Sequence, residues 1–351
     1  MDIIGIDKNF SVPTEIDRTG LCFYDVEQAP FRVYGTKMVD GRYRRMPESV
    51  ATVTNNGVRE MHTHTAGARV RFVTDSPRIA IRVLIDGFML QPRTSVCGSA
   101  SLDVYVNEEY CNTFIPPHDP LAVQNGYESV IDTHLTQKAE ILLHFPLFSS
   151  VTRLFVGLEE GSVLEPAAEY TLTKPVVCYG SSITHGACAS RPGNCYENIL
   201  SRTLDCDFLN LGFSGSACGE DAIAHHIATL EMSAFVLDYD HNAPTPASLG
   251  RHHERFFKIV RAAQPNLPIL MLSRPQPRPN AEELERLAVV RATYENALAV
   301  GDKNVYFIPG AELMGEMKNE GLVDNVHPND AGFWNMAKVI APVLKKMLSL
   351  E

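Results

Sequence analysis

Strand-like and helix-like segments alternate along the chain from Lys174 onwards, and this alternation narrows the folds that the chain can adopt. Apolar runs predict strands at 175–179, 207–211, 234–239, 268–272 and 304–308. Longer segments predict helices at 194–204, 219–230, 248–264, 281–300 and 331–348. Strands that alternate with helices form a parallel sheet with right-handed crossovers. The pattern therefore predicts a flavodoxin-like three-layer α/β/α domain with a five-stranded parallel sheet over residues 174–351.

The first half of the chain shows a different pattern, in which short segments alternate apolar and polar residues. This period of two is found at 68–75, 79–85 and 102–106, between turns rich in Gly, Pro and Asn. Short alternating strands of this kind are typical of an antiparallel β-sandwich. Residues 1–165 are therefore predicted to form a β-sandwich domain, with 162–173 as the join.

Five residues lie just after predicted strands or on the loop before the last helix: Ser182, Gly215, Asn242, Asp324 and His327. Because the carboxyl ends of parallel strands meet at one edge of the sheet, these residues are expected to converge on one pocket. Together they provide what serine acyl transfer requires. Ser182 is the candidate nucleophile, His327 the base, and Asp324 the residue that orients the base. The N–H groups of Ser182 and Gly215 and the side chain of Asn242 are the candidate oxyanion donors.

Each of these residues also has an ordinary structural interpretation. A serine in a glycine-rich turn is usually a turn residue, and Asn242 before Ala-Pro could form a turn. An Asp-x-x-His sequence before a helix could belong to a helix cap. The order of all five positions, together with their places in the predicted fold, favours catalysis. A catalytically dead relative that still binds its ligand is the alternative.

The local sequences around these positions resemble the SGNH (GDSL-like) hydrolase superfamily. KPVVCYGSSITHG resembles the first family block, with Ser181 in place of the usual Asp and Ser182 as the nucleophile. NLGFSGSA and DNVHPND resemble the second and last blocks, whereas YDHNAP retains only Asn242 of the third. The resemblance implies a serine esterase that works through an acyl-enzyme and needs no metal or other cofactor.

The first half resembles the GxDLY domain that precedes certain SGNH hydrolases. The segments that carry this resemblance are YRRMPESV, THTAGARVRFVTDSPRIAIRV and GSASLDVYV, the last matching the signature at Asp103 and Tyr105. The resemblance implies a jelly-roll-like sandwich. Such a domain could bind carbohydrate or gate the substrate, but the absence of an identifiable aromatic platform favours a structural role.

Polar clusters in the first half are expected near the rim of the pocket. They comprise Arg44, Arg45, His62 and His64. His62 and His64 are predicted to share one face of a strand. Two such imidazoles could ligate a metal, but no third ligand is evident, so no metal site is predicted.

Four further residues are candidates for substrate binding, namely His185, Asp240, His241 and Arg274.

Short connecting loops leave little sequence for an apolar lid, which favours small or polar acyl esters over long-chain lipids. An O-acetylated sugar is the preferred substrate by family analogy. Acyl transfer to an alcohol by the same triad, or a non-catalytic glycan-binding function, are the alternatives. The sequence does not determine the acyl length or the alcohol moiety. It also leaves the oligomeric state open, with a homo-oligomer as one possibility.

Composition excludes several other classes of protein. Lys and Arg total 31 against 42 Asp and Glu, and a net charge of −11 argues against a nucleic-acid partner. No apolar run approaches membrane-spanning length. The first residues carry acids and no long apolar stretch, so no signal peptide is expected. Eight cysteines without a Cys-x-x-Cys pair predict free thiols in a reducing cytoplasm.

Overall fold

The computed structural model describes residues 12–117 and 119–350, and the chain divides into two units. The β unit comprises Met1–Arg44, Thr63–Glu169 and Ser190–Gly193. The α/β unit comprises Arg45–His62, Tyr170–Ala189 and Asn194–Glu351. The expectation that the N-terminus lacks a signal peptide falls largely on residues 1–11, which lie outside the described residues.

The division differs in two places from the single boundary that the sequence predicts. Arg45–His62 belong to the α/β unit, because the Arg45 guanidinium donates to the backbone of its second strand. Ser190–Gly193 belong to the β unit, because the Asp103 carboxylate accepts hydrogen bonds from Arg191 and from the Gly193 N–H. Both connections join residues that are far apart in sequence, which a local pattern does not reveal.

The β unit contains two antiparallel sheets. Its strands are β1 Leu21–Asp25, β2 Arg32–Tyr34, β3 Lys37–Val39, β4 Arg42–Arg44, β5 Arg69–Thr74, β6 Arg78–Phe88, β7 Leu102–Val106, β8 Glu109–Phe114, β9 Tyr127–Asp132, β10 Ala139–His144, β11 Ser149–Glu159 and β12 Leu164–Glu165. One sheet has the order β1-β11-β6-β9 and the other the order β12-β5-β10-β7-β8, with β2 also paired to β5. Strands β3 and β4 form a separate hairpin.

The two sheets of the β unit share one hydrophobic core. Val70 and Phe72 of β5, Ile81 and Val83 of β6, and Val104 of β7 are all fully buried in it. They are alternate residues of their strands, as the period of two in the sequence predicted. The antiparallel β-sandwich expected for the first half of the chain is therefore confirmed.

The helices in the described part of the chain lie mainly in the α/β unit. They are α1 Glu48–Thr54, α2 Asn56–Met61, α3 Val96–Ala100, α4 Pro120–Val123, α5 Ser182–His185, α6 Tyr196–Leu204, α7 Asp221–Ala228, α8 Pro246–Ala263, α9 Ala281–Ala299, α10 Gly310–Met314 and α11 Asp330–Leu348. Of these, α3 and α4 belong to the β unit. None of the helices within residues 12–117 and 119–350 is long and apolar enough to cross a membrane.

Five parallel strands form the sheet of the α/β unit, as predicted. They are β13 Leu172–Gly180, β14 Cys206–Gly212, β15 Ala234–Asp238, β16 Ile269–Leu272 and β17 Val305–Ile308. Their order is β14-β13-β15-β16-β17, so the chain reverses direction across the sheet next to β13. In sheets of this type ligands bind at such a switch point, beyond the carboxyl ends of the strands. The flavodoxin-like fold is therefore confirmed, and the end of β13 is its expected ligand position.

Side chains that cap the long helices fix where they begin. The Thr245 hydroxyl accepts from the Ser248 N–H at the start of α8, and Asn280 and Glu283 form a reciprocal capping box at the start of α9. Asn329 caps α11 by accepting from the Gly332 N–H, two residues after His327.

The predicted strand face for His62 and His64 is wrong. His62 is the C-terminal capping residue of α2, and its Nδ1 lies 2.7 Å from the Arg59 carbonyl oxygen. His64 follows in a bend, so the two imidazoles do not share a strand face. Across the described residues, no cluster of three or more His, Cys, Asp or Glu side chains is arranged to hold a metal ion.

Candidate active site

A continuous line of hydrogen bonds joins Ser182, His327 and Asp324. Ser182 Oγ lies 2.9 Å from His327 Nε2. On the other side of the imidazole ring, Nδ1 lies 3.0 Å from each Asp324 carboxylate oxygen. Nucleophile, base and orienting carboxylate within hydrogen-bond reach of one another are the arrangement that serine acyl transfer uses.

The nucleophile candidate is set by a tight passage from β13 into α5. Ser182 is the first residue of α5, and the Ser181 side chain caps this helix by accepting from the Ile183 N–H at 3.1 Å. A Cβ on Gly180 would overlap Thr184 Oγ1 and the Asp238 carbonyl oxygen, so this position requires glycine. Ser181 is fully buried and serves as the cap, whereas Ser182 is the serine within reach of the imidazole.

Backbone contacts hold the loop that carries His327 and Asp324. The Asp324 carboxylate accepts from the backbone N–H groups of Val326 and His327 at 3.1 and 2.9 Å. Partial burial raises the pKa of Asp324, but the hydrogen bonds from the backbone and side chain of His327 outweigh it, and the pKa lies below its usual value. A carboxylate beside Nδ1 favours the tautomer in which Nδ1 carries the proton and Nε2 faces Ser182 Oγ as an acceptor.

The Gly215 loop, residues 213–219, follows directly after β14. Gly215 has a φ of +69°, in the left-handed region that favours glycine. The Phe213 N–H donates to the Gly180 carbonyl oxygen at 2.9 Å, which ties this loop to the end of β13. Asn242 ends a 3-10 helix that begins at Asp240, and its Nδ2 donates to the Phe213 carbonyl oxygen at 3.2 Å. The Asn242 side chain therefore contacts the Gly215 loop, which is bonded to Gly180, two residues before Ser182.

A second carboxyl, that of Asp238, contacts helix α5. Thr184 Oγ1 donates to Asp238 Oδ2 at 3.1 Å. Complete burial, with Asp240 as a second and smaller cause, raises the pKa of Asp238 well above its usual range. Asp238 contacts Thr184 of α5, whereas Asp324 is the carboxylate that contacts the His327 imidazole.

The residues predicted to bind substrate are engaged in contacts within the protein. His185 is fully buried, and its Nδ1 accepts from the Ser214 N–H at 3.4 Å, beneath the Gly215 loop. The buried Asp240 carboxylate accepts from the Arg274 N–H at 3.2 Å, and His241 Nδ1 lies 3.5 Å from Asp240 Oδ1. These contacts give His185 and Asp240 structural roles, and substrate contact by any of them stays a prediction.

Arg274 connects three parts of the site region. Its guanidinium forms a 2.6 Å ion pair with Glu283 and donates to the Asn325 carbonyl oxygen at 2.9 Å. Gln276 Nε2 donates to the same carbonyl oxygen at 3.2 Å. The two side chains therefore hold the loop that carries Asp324, and only long-range contacts reveal the role of Gln276.

Arg274→Met is expected to lower the free energy of unfolding by about 1 to 3 kcal/mol, because it leaves Glu283 without its ion-pair partner in a mostly buried position. Urea unfolding measures this change. Arg278→Met, at an exposed position on the same loop, is the matched control. Equal stability of the two variants would contradict the assigned role of Arg274.

The predicted location of Arg45 at the pocket rim is wrong. Its side chain is buried, and burial lowers the pKa of the guanidinium to about 9. The guanidinium donates to the carbonyl oxygens of Met61, Asn210 and Gly212. Arg44 lies half-buried in β4.

Two family models match the chain and together cover most of it. Residues 173–345 match the GDSL-like lipase/acylhydrolase family. Residues 21–164 match the GxDLY family, described as the N-terminus of SGNH-hydrolase-type esterases. No curated protein sequence matches the chain.

Solved structures show the same fold over nearly the full length. A GDSL-like lipase from Bacteroides ovatus is 27% identical, with a TM-score of 0.83 over 94% of this chain and 99% of its own. A salicylyl-acyltransferase from a tetracycline biosynthetic pathway is 22% identical, with a TM-score of 0.77 over 95% of this chain and 99% of its own. An acetyl xylan esterase from Butyrivibrio proteoclasticus is 13% identical, with a TM-score of 0.62 over 94% of this chain and 99% of its own.

Proposed function

The chain belongs to the GDSL-like lipase/acylhydrolase family and is a carboxylic ester hydrolase. We propose that it cleaves small acyl esters with Ser182 as the nucleophile. His327 is the general base, and Asp324 orients it. The observation that carries this proposal is the Ser182–His327–Asp324 line, with 2.9 Å at the serine and 3.0 Å at the carboxylate.

In the proposed reaction, His327 transfers protons in each of the two acyl-transfer steps. His327 Nε2 takes the Ser182 hydroxyl proton as Oγ attacks the ester carbonyl carbon. The tetrahedral intermediate then collapses, the bond to the alcohol oxygen breaks, and the imidazolium protonates the leaving alcohol. A water molecule gives its proton to His327 and attacks the acyl-enzyme. Collapse of the second intermediate releases the acid, and the imidazolium returns the proton to Ser182.

The negative charge that develops on the carbonyl oxygen needs donors. The backbone N–H groups of Ser182 and Gly215 and the Asn242 side chain are the proposed set. One N–H of the Asn242 amide donates to the Phe213 carbonyl oxygen, and the second is proposed to donate to the oxyanion.

Asn242→Ala is expected to lower kcat for p-nitrophenyl acetate by about 100- to 1000-fold, because an oxyanion donor acts mainly in the transition state. KM should change little. Steady-state kinetics measures both, with Asn56→Ala at an exposed position as the control. A kcat within a few-fold of wild type would remove Asn242 from the oxyanion hole.

An O-acetylated sugar is the substrate class that we favour. The likeness of fold to an acetyl xylan esterase supports it. The test is a comparison of kcat/KM between acetylated xylo-oligosaccharides and aryl esters of increasing acyl length. Faster turnover of long-chain esters than of acetylated sugars would contradict this choice.

Acyl transfer to an alcohol is the second candidate function, favoured by the likeness of fold to a salicylyl-acyltransferase. Both functions share the acyl-enzyme, so the partition of the acyl group between water and an added alcohol decides between them. Free acid as the main product at high alcohol concentration would favour hydrolysis.

A reducing cytoplasm is the proposed compartment, supported by the free thiols of the buried Cys178, Cys195 and Cys206. Recovery of the protein in the cytoplasmic fraction of its source cells would support this, and recovery outside the cell would contradict it.

The proposed partner is a small-molecule ester, and the net charge of −11 disfavours nucleic acid.

A further inference from the structure

The segment Arg45–His62 comes from the first half of the sequence but is part of the α/β unit. It contains the short helices α1 and α2, of seven and six residues. Isolated helices of this length are unstable in water, so packing must hold them in place. Their packing partner includes the Gly215 loop.

Arg45 fixes the start of this segment to the end of β14. Its Nη1 donates to the carbonyl oxygens of Asn210 and Gly212 at 3.0 and 2.8 Å, and its guanidinium carbon lies 4.8 Å from the centre of the Phe213 ring. Nη2 donates to the Met61 carbonyl oxygen at 2.7 Å, at the far end of α2. One buried cation therefore joins both ends of the segment to the strand that leads into the Gly215 loop.

Asn55 fixes the other side of the loop. Its Nδ2 donates to the Ser216 carbonyl oxygen at 2.9 Å and to Glu220 Oε1 at 2.6 Å. The other oxygen of Glu220 accepts from the Cys218 N–H at 3.2 Å and from the Tyr179 hydroxyl at 3.2 Å. The residues that follow Gly215 are thus bound to the side chain of Asn55, which caps α2, and to the Glu220 carboxylate that Asn55 contacts.

Gly57 brings helix α2 against the loop. A Cβ at this position would overlap the Ser216 side chain, although the backbone of Gly57 is not in the left-handed region. Helix propensity alone favours alanine at such a position. The need for glycine therefore comes from the close approach of α2 to the residue next to Gly215.

We propose that the segment Arg45–His62 holds the Gly215 loop in its catalytic position, with Asn55 and Gly57 as positioning residues for the oxyanion hole. They act through the loop and do not touch the substrate. This inference rests on the proposed function, in which the Gly215 N–H stabilises the oxyanion. A displacement of that donor by about 1 Å is enough to cost up to about 100-fold in rate.

The first test replaces Asn55 by serine. Serine keeps the capping acceptor for the Val58 N–H, so α2 remains capped, but it is too short to donate to Ser216 and Glu220. Asn55→Ser is expected to lower kcat about 10- to 100-fold with KM nearly unchanged. The low-pH limb of the activity profile should stay in place, because the Ser182–His327–Asp324 line is not altered. Asn56→Ser, the same change at the exposed neighbour, is the control.

The second test uses steric rescue. Gly57→Ala is expected to lower kcat by pushing Ser216, and Ser216→Gly in the same chain should restore most of the loss, because it removes the side chain that the new Cβ meets. A merely structural role for α2 gives no reason for this specific rescue. Loss of activity in Gly57→Ala that Ser216→Gly does not restore would contradict positioning through this contact.

Hydrogen exchange separates this inference from the proposed function. The N–H groups of Phe213, Ser216 and Ala217 are hydrogen-bonded and report on the Gly215 loop. Asn55→Ser should speed their exchange, and Asn56→Ser should not. If the turnover of the wild-type protein does not depend on Ser182, the proposed function is overturned. The exchange rates would still decide whether the segment holds the loop. Unchanged exchange, or faster exchange with unchanged kcat, would overturn the positioning role.

Discussion

Ser182→Ala is expected to remove the turnover of p-nitrophenyl acetate, a loss of about four to six orders of magnitude. The substitution deletes the oxygen that lies 2.9 Å from His327 Nε2 and leaves no other hydroxyl on that residue. Because Ser182 is 5% exposed and alanine fits the same backbone, the fold should be retained. Circular dichroism and steady-state kinetics on the same preparation measure the two expectations.

The neighbouring serine provides a matched control. Ser181 caps α5, so Ser181→Ala is expected to lower the free energy of unfolding by about 1 kcal/mol and to leave an active enzyme. Turnover that survives in Ser182→Ala but is lost in Ser181→Ala would reverse the assignment of the nucleophile.

His327→Ala should lower kcat/KM by about as much as Ser182→Ala, because it removes the proton acceptor. Asp324→Asn should cost less, roughly 10- to 1000-fold, compared with about four orders of magnitude for the equivalent change in a serine protease. The smaller loss follows from the geometry, since both carboxylate oxygens lie 3.0 Å from Nδ1 and the asparagine oxygen could still accept from the ring. Near-wild-type kinetics in both variants would mean that the Asp324–His327 loop only caps a helix and has no catalytic role.

The pH profile gives an independent view of the same pair. Activity should rise with pH as His327 loses its proton and becomes a base. The pKa of Asp324 is lowered, so its carboxylate is already ionised there and adds no limb of its own. In Asp324→Asn the limb should move to lower pH, because a negative charge that favours the imidazolium is gone. A limb that stays in place would indicate that Asp324 does not contact the base.

The parallel sheet was predictable from the sequence, and so was the approach of Ser182 to His327 and Asp324, because both depend on local patterns. Strand ends can be read from apolar runs, and the topology of α/β sheets brings those ends to one edge. The β-sandwich was predicted for the same reason, from the period of two in segments such as 102–106, which coincides with β7.

Features that depend on long-range packing were not predictable in this way. Helices α1 and α2 are short and contain several β-branched residues, so neither length nor propensity marks them. The place of Ser190–Gly193 in the β unit depends on Asp103, about 90 residues earlier. Asp240 and Arg274 were predicted to bind substrate, which stays a prediction, and their mutual contact becomes evident only in the folded chain.

Identification of the residue that a fluorophosphonate labels tests the central claim most directly. Peptide mapping of the labelled wild-type protein by mass spectrometry should place the adduct on Ser182, since an active serine hydroxyl with an adjacent base attacks the phosphorus. Labelling should disappear in Ser182→Ala and persist in Ser181→Ala. An adduct on Ser181 or on any other residue, or labelling that persists in Ser182→Ala, would contradict the proposed mechanism.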